Sequence, residues 1–338
     1  MVDKKKIKKQ SFSHGLANKI GLACGTAALA IVPRLSEQRL RSIGETLGRV
    51  FYLLVGKYRR RGCKNLTYAF GTEKSGPERD TLLRACMEDI GKNFMELMHA
   101  FGLSAEQLRQ KIAVEGMEHL DRARAQGKGV IALSAHLGNF ILIGPRLIAD
   151  GYPFSVVARD PKDPQIAQLF RNMRERLGIG SIPDKPKREC IVQCLKCLRD
   201  NGILFLQIDQ NAAPDDPWVE FFNWLVPTFK GPVVFSLRTG APVLPFFMLR
   251  QPDNRLRLII EPPVVFEQDA DREEEIKKNV ALLTRITEEH IRRYPEQWWW
   301  LHRRWKKAKK PPVERGTDPG LLPGSPLPAA DQDAAPIS

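Results

Sequence analysis

The 338-residue chain is 43% hydrophobic and 27% charged, which allows one large packed domain or two small ones and excludes a wholly disordered, collagen-like or polytopic membrane chain. Its formal charge of +14 is local: residues 1–19, 57–64 and 303–310 carry +5, +5 and +6. The remainder is slightly acidic, so the basicity points to docking on a polyanion, either nucleic acid or an anionic membrane surface.

The first element is an apolar run, residues 20–32 (IGLACGTAALAIV), flanked by Lys19 and by Arg34, Arg39 and Arg41. As a helix it spans about 20 Å, short of the ~30 Å hydrocarbon core. It reads as a membrane anchor or interfacial helix, as a signal peptide ending at Ala28-Leu29-Ala30, or as a core helix. Residues 43–55 (IGETLGRVFYLLV) form a second apolar stretch that runs straight into KYRRR, a pairing that an anionic leaflet attracts. Between about 65 and 110 the pattern is helical, most clearly over 79–100.

From residue 129 the character changes. Short apolar runs at 129–135, 154–158, 202–208 and 243–249 alternate with helical stretches near 141–149, 164–177, 188–200 and 232–240. Buried-type strands alternating with helices predict an α/β fold with a mainly parallel central sheet flanked by helices. A further helix over 278–293 precedes YPEQWWWLHRRWKK. Three adjacent Trp cannot all face one core, so at least one is expected at an interface or wet boundary, and Trp with Arg there suits a headgroup-level belt or a phosphate-lined entrance better than nucleic acid. Residues 311–338 hold seven prolines and almost no aromatic side chains, which predicts a disordered tail. The expected organisation is a membrane-associating helical segment over 1–60, a catalytic domain over 61–308 and the tail over 309–338.

In a parallel α/β sheet, ligands bind beyond the carboxyl ends of the strands. The first strand ends at His136, the second at Arg159 and Asp160, the third at Asp209, Gln210 and Asn211. An imidazole there suits a general base, a carboxylate suits fixing its tautomer, and a guanidinium suits a phosphate or an oxyanion. His14, His99, His119, His290 and His302 fall in the tail, in helices or in a basic run and read as structural or solvated. Cys190, Cys194 and Cys197 have iron–sulfur-loop spacing but also lie on one helix face, the reading preferred here. No Walker A, G-x-G-x-x-G, G-x-S-x-G or zinc pattern occurs in a suitable context. What remains is acyl transfer to a hydroxyl, needing a base, an oxyanion site and an apolar groove, with no metal and no cofactor.

These residues carry a family resemblance. Glu115-Gly116, Gly129-Val130-Ile131 and His136-Leu137-Gly138-Asn139 resemble the first motif of the bacterial lipid A biosynthesis (lauroyl/myristoyl) acyltransferase family. Ala158-Arg159, Arg174 with Gly178, Asp209-Gln210, Val219-Glu220-Phe221-Phe222 with Thr228, Arg238-Thr239-Gly240-Ala241-Pro242 and the terminal Pro295-Glu296-Gln297-Trp298 through Lys306 follow in the expected order. Upstream, Asn65-Leu66 and Met95-Glu96 also match. The resemblance implies a glycerolipid-acyltransferase-like fold on the cytoplasmic face of the inner membrane. It implies an acyl carrier protein as donor and an anionic glycolipid as acceptor, with no nucleic acid. It further implies His136 as the base; Asp209, at the end of a neighbouring strand, is the carboxylate expected beside it, and Asn139, Arg159, Gln210, Arg238, Arg303 and Arg304 are expected at the substrates, Asn139 also bracing the loop. One departure stands out: in the family's His-x4-Glu/Asp motif the acidic position, five residues after His136, falls on Ile141. Either Asp209 replaces that carboxylate, or His136 works alone, or the chain binds lipid without catalysis. No cysteine sits at a strand end beside a base, so attack on the thioester is expected to be direct.

Overall fold

The computed structural model describes residues 31–310, apart from Lys162. The apolar run at 20–32 lies outside the described residues except for its last two positions, and so does the proline-rich tail. Among the described residues no helix is long and apolar enough to cross a membrane.

The chain begins with helices α1 (Glu37–Leu54), α2 (Gly56–Phe70) and α3 (Gly76–Ala100). A Ser75–Glu78 capping box with Pro77 in the first turn starts α3. Helix α1 packs on α3 through Leu40, Gly44, Gly48 and Tyr52, one face at four-residue spacing. The backbones nearly touch there, since a Cβ on Gly48 would lie 2.2 Å from the Met87 carbonyl oxygen. The apolar stripe Ile43, Leu47, Val50 and Leu54 is left exposed.

After α4 (Ala105–Lys111) come β1 (Ile112–Glu115), α5 (Met117–Arg124), β2 (Val130–Ser134) and α6 (Ile143–Ala149). Then follow β3 (Phe154–Ala158), α7 (Pro164–Arg176), β4 (Gly180–Pro183), α8 (Lys187–Arg199) and β5 (Ile203–Gln207). A hairpin of β6 (Trp218–Phe221) and β7 (Trp224–Pro227) leads to α9 (Gly231–Thr239), β8 (Val243–Arg250), β9 (Leu256–Ile260) and α10 (Arg272–Arg293).

Seven strands form one sheet in the order β1-β9-β8-β2-β5-β3-β4, and every neighbouring pair is parallel except β8–β9. The fold is therefore α/β with a mostly parallel sheet flanked by helices. Strands β2 and β8 are buried along their whole length, as covering both faces requires. Residues of α3 to α6 pack on one face, with Ala132, Phe154 and Phe205. On the other face α8, α9 and α10 pack on Ile131, Leu133, Leu204 and Leu206.

The three adjacent tryptophans divide between core and surface, as their adjacency requires. Trp298, Trp300 and Trp305 are buried in an aromatic cluster with Tyr68, Phe221 and Phe222, and Trp299 alone is partly exposed, at 38%. The physical reason is local: the chain turns through Trp299, the Trp300 backbone N–H donating to the Trp298 carbonyl (2.8 Å), and the Trp298 and Trp300 rings pack edge to face against α2 and the hairpin. The Trp299 side chain points away, while its backbone N–H donates to the His136 carbonyl (2.9 Å).

Candidate active site

Strand β2 ends in a tight loop that carries His136. Gly138 holds φ +59°, and a Cβ there would lie 1.9 Å from the Met248 carbonyl oxygen, so only glycine lets this loop press against β8. The loop is stitched on both sides: the Gly138 N–H donates to the Gln297 carbonyl (2.9 Å) and the Asn139 N–H to that of Met248 (3.0 Å). The imidazole is thereby fixed at the carboxyl edge of the sheet, with the Phe140 ring edge-on at 4.8 Å between centroids.

Because β2 and β5 are sheet neighbours, Asp209 arrives beside His136 from 73 residues away. Its Oδ1 lies 2.9 Å from His136 Nδ1, and its Oδ2 accepts from the His136 backbone N–H and from Trp298 Nε1–H, both at 2.8 Å. Asp209 is only 2% exposed. Burial alone would raise its pKa, but the imidazole charge and these hydrogen bonds hold it down at about 2. The carboxylate is thus ionised at any working pH and fixes Nδ1–H, leaving the lone pair on Nε2. Gln210 places its side-chain amide nitrogen 2.8 Å from that Nε2.

Ile141, at the family's acidic position, points into the groove mouth and is 42% exposed. The carboxylate on the imidazole is that of Asp209.

His136 opens onto a cavity of about 950 Å³ that runs over the carboxyl ends of β2 to β5. One arm is apolar, lined among others by Leu97, Phe101, Phe154, Phe170, Met173 and Leu177. The other, beneath α8 and α9, carries Arg159, Lys187, Lys230 and Arg238 with Asp184, Asp215 and Asp216, beside apolar Ile191, Phe229 and Phe235. Arg159 is largely exposed and bonds Asp184 (2.6 Å). Asp160 is turned away from the imidazole onto Arg171 and Arg174, which lower its pKa.

Three of the residues expected to contact the substrates sit outside the cavity lining. Asn139 is buried behind the loop, donating to Glu96 Oε2 (2.8 Å). Arg304 is 0% exposed and clamps backbone instead of facing a ligand: it donates to the carbonyls of Gln210 (2.8 Å) and Pro227 (2.7 Å) and to Thr228 Oγ1 (2.6 Å). Burial lowers its pKa to about 10. Arg303 is half-buried in the preceding turn. A run of basic residues reads as a solvated face, and nothing in the run RRWKK marks which Arg turns inward. On α8, Cys194 is wholly buried, and its thiol is pushed up to about 12, chiefly by burial.

Two features escaped the sequence reading. The first is a buried ionic network behind the loop, in which Arg250 bonds Asp89 (2.6 Å), Glu96 (2.6 Å) and Asn93 (2.7 Å). Asn93 in turn donates to the Gly138 carbonyl (3.2 Å). The charge that ends the apolar strand VLPFFMLR was the available signal.

The second is His302, which falls in the basic run yet is half-buried near the dyad. Burial, chiefly, lowers its pKa to about 4, against the pull of Asp209, and its Nδ1 has no hydrogen-bond partner among the described residues. His302 is neutral in the fold, whereas an unfolded histidine protonates near pH 6.5. Between pH 6.5 and about 4 the unfolded chain takes up a proton that the fold refuses, so stability falls as the pH falls. From pH 7.5 to 5 the contribution is about 1 kcal/mol once screening by water at its exposed part is allowed for. Urea midpoints at the two pH values, measured for wild type and His302→Asn, check this: the variant's midpoint should depend less on pH.

Comparison with known proteins places these motifs in context. A family model described as bacterial lipid A biosynthesis acyltransferase matches residues 7–307. A phosphatidylinositol mannoside acyltransferase of Mycobacterium tuberculosis is 27% identical over 229 residues, 66% of this chain and 70% of the relative. The lipid A biosynthesis palmitoleoyltransferase of Escherichia coli is 26% identical over 245 residues, 72% and 77% of the two chains. The lipid A biosynthesis lauroyltransferase of the same organism is 26% identical over 285 residues, 83% and 90% of the two.

Proposed function

The chain belongs to the bacterial lipid A biosynthesis acyltransferase family, and from that premise we propose that it moves a fatty acyl chain from the thioester of acyl carrier protein to a hydroxyl of a phosphorylated glucosamine lipid. The observation that carries this reading is the His136–Asp209 pair opening onto a groove with one apolar arm and one in which Arg159, Lys187, Lys230 and Arg238 stand among apolar and acidic side chains. The acyl chain occupies the apolar arm, and the anionic lipid meets Arg159, Lys187 and Arg238. His136 Nε2 takes the acceptor's hydroxyl proton as the oxygen attacks the thioester carbonyl. The C–S bond breaks, and the imidazolium returns the proton to the departing thiolate. Arg159 faces the developing oxyanion or an acceptor phosphate. Asn139 and Arg304 position the loop and Gln210 from behind.

The exposed stripe Ile43, Leu47, Val50 and Leu54 leads into Lys57, Arg59 and Arg60, all exposed. An apolar face beside a basic cluster suits the anionic surface of the cytoplasmic leaflet of the inner membrane, where both substrates are presented. A second acceptor fits the same chemistry: the relative from Mycobacterium tuberculosis is named for phosphatidylinositol mannoside, also an anionic hydroxyl-bearing glycolipid.

The test uses purified, detergent-solubilised protein with radiolabelled acyl carrier protein of several chain lengths. A tetra-acylated lipid A precursor and a phosphatidylinositol mannoside serve as alternative acceptors. Wild type should form product, and His136→Ala should lose at least 10³-fold in rate, the scale of losing a catalytic base and its proton transfer. Product only with the mannoside would move the assignment to the second acceptor. No product with either would sink the acyltransferase reading.

A further inference from the structure

The atom that must accept the hydroxyl proton is already occupied. With Nδ1–H held by Asp209, the His136 lone pair lies on Nε2, and the amide N–H of Gln210 donates to it at 2.8 Å. The backbone beneath Gln210 is pinned: buried Arg304 holds its carbonyl at 2.8 Å, and Lys307 Nζ holds the carbonyl of Ala212 at 3.0 Å. Only the Gln210 side chain, which lines the groove, is left to move. Phe140 covers another side of the ring.

We propose that Gln210 is a guard on the base: it caps His136 Nε2 while no acceptor is bound, and an acceptor hydroxyl displaces it, so that a bound acyl thioester is shielded from water. This inference rests on the acyl-transfer reading. A cavity of about 950 Å³ admits water beside the thioester. Were Nε2 bare, a water could give it a proton, its oxygen would attack the carbonyl, and the C–S bond would break. Free fatty acid and thiol would result, the thiolate recovering the proton from the imidazolium. A lone water brings no other contacts to offset loss of the Gln210 hydrogen bond. An acceptor lipid does, because its phosphate and sugar groups bind elsewhere in the groove and that binding supports the exchange. Once displaced, the amide is free to donate to the incoming oxygen.

Gln210→Met keeps the length of the side chain and removes the donor, and Gln210→Ala serves as a second variant. Thermal unfolding identifies variants that fail to fold. Without acceptor, consumption of radiolabelled acyl carrier protein to free fatty acid is expected to rise about threefold to tenfold over wild type, the range set by the net worth of one hydrogen bond. With acceptor, the ratio of hydrolysis to transfer should rise as well. A second readout needs neither substrate: diethyl pyrocarbonate adds an ethoxycarbonyl group to an accessible imidazole nitrogen, releasing carbon dioxide and ethanol. Its rate at His136, followed by peptide mass, should rise by a similar factor.

Unchanged modification of His136 would overturn the cap. Faster modification with unchanged or slower hydrolysis would overturn the guard. If wild type neither hydrolyses nor transfers the acyl group, the functional reading fails, and the modification rate still decides whether Gln210 caps the base.

Discussion

Asp209→Asn is expected to lower kcat for acyl transfer by about 10⁴-fold with the fold intact, the loss seen when an orienting carboxylate becomes an amide in serine-protease triads. The direction follows from the donors around the carboxylate. Its Oδ2 receives the His136 backbone N–H and the Trp298 indole N–H, each at 2.8 Å. An amide must keep its oxygen toward those two donors, because turning its NH₂ to them would set donor against donor. The NH₂ then faces His136 Nδ1, which can only accept, and the ring proton moves to Nε2. The base is present and in place but holds the proton in the wrong position. A loss below about tenfold, in steady-state transfer assays beside a thermal-unfolding control, would show that Asp209 does not set the tautomer.

Arg250→Met is expected to cost about 3–5 kcal/mol of stability, as when one partner of a buried ionic set is removed. Arg250 is 6% exposed, and the carboxylates of Glu96 and Asp89 raise its pKa despite burial. Without it, those two carboxylates stay packed against the catalytic loop, with Lys92 3.9 Å from Asp89. Removing Asp89 and Glu96 as well, as Asn and Gln, should recover part of the loss, because the uncompensated charges go with them. Urea unfolding of the single and triple variants measures both. A cost under about 1 kcal/mol for Arg250→Met would mean that the network is not a support for the loop.

The legible part of the site is the part that follows from strand direction. Where parallel strands end in His136, Arg159 and Asp209, these side chains must share an edge, and four of the strands are marked by contiguous apolar runs. β1, β4, β6 and β7 lack that signal because each is four residues long and partly exposed. In β9 a charged residue, Arg257, interrupts the apolar pattern.

Composition and periodicity alone thus determined the alternation of strands and helices, the sheet class and the edge at which chemistry gathers, since these depend on local patterns of burial. The motif residues added the family resemblance. Tertiary structure alone decided the order β2-β5-β3, which sets Asp209 on His136 Nδ1 and leaves Ile141 in the groove mouth. It also turned Arg304 and two of three adjacent tryptophans inward while leaving the apolar stripe of α1 outside. Strand order and the facing of a basic or aromatic run arise from contacts between residues far apart in the chain, Asp209 with His136 and Arg304 with Pro227, and no window of sequence contains both partners.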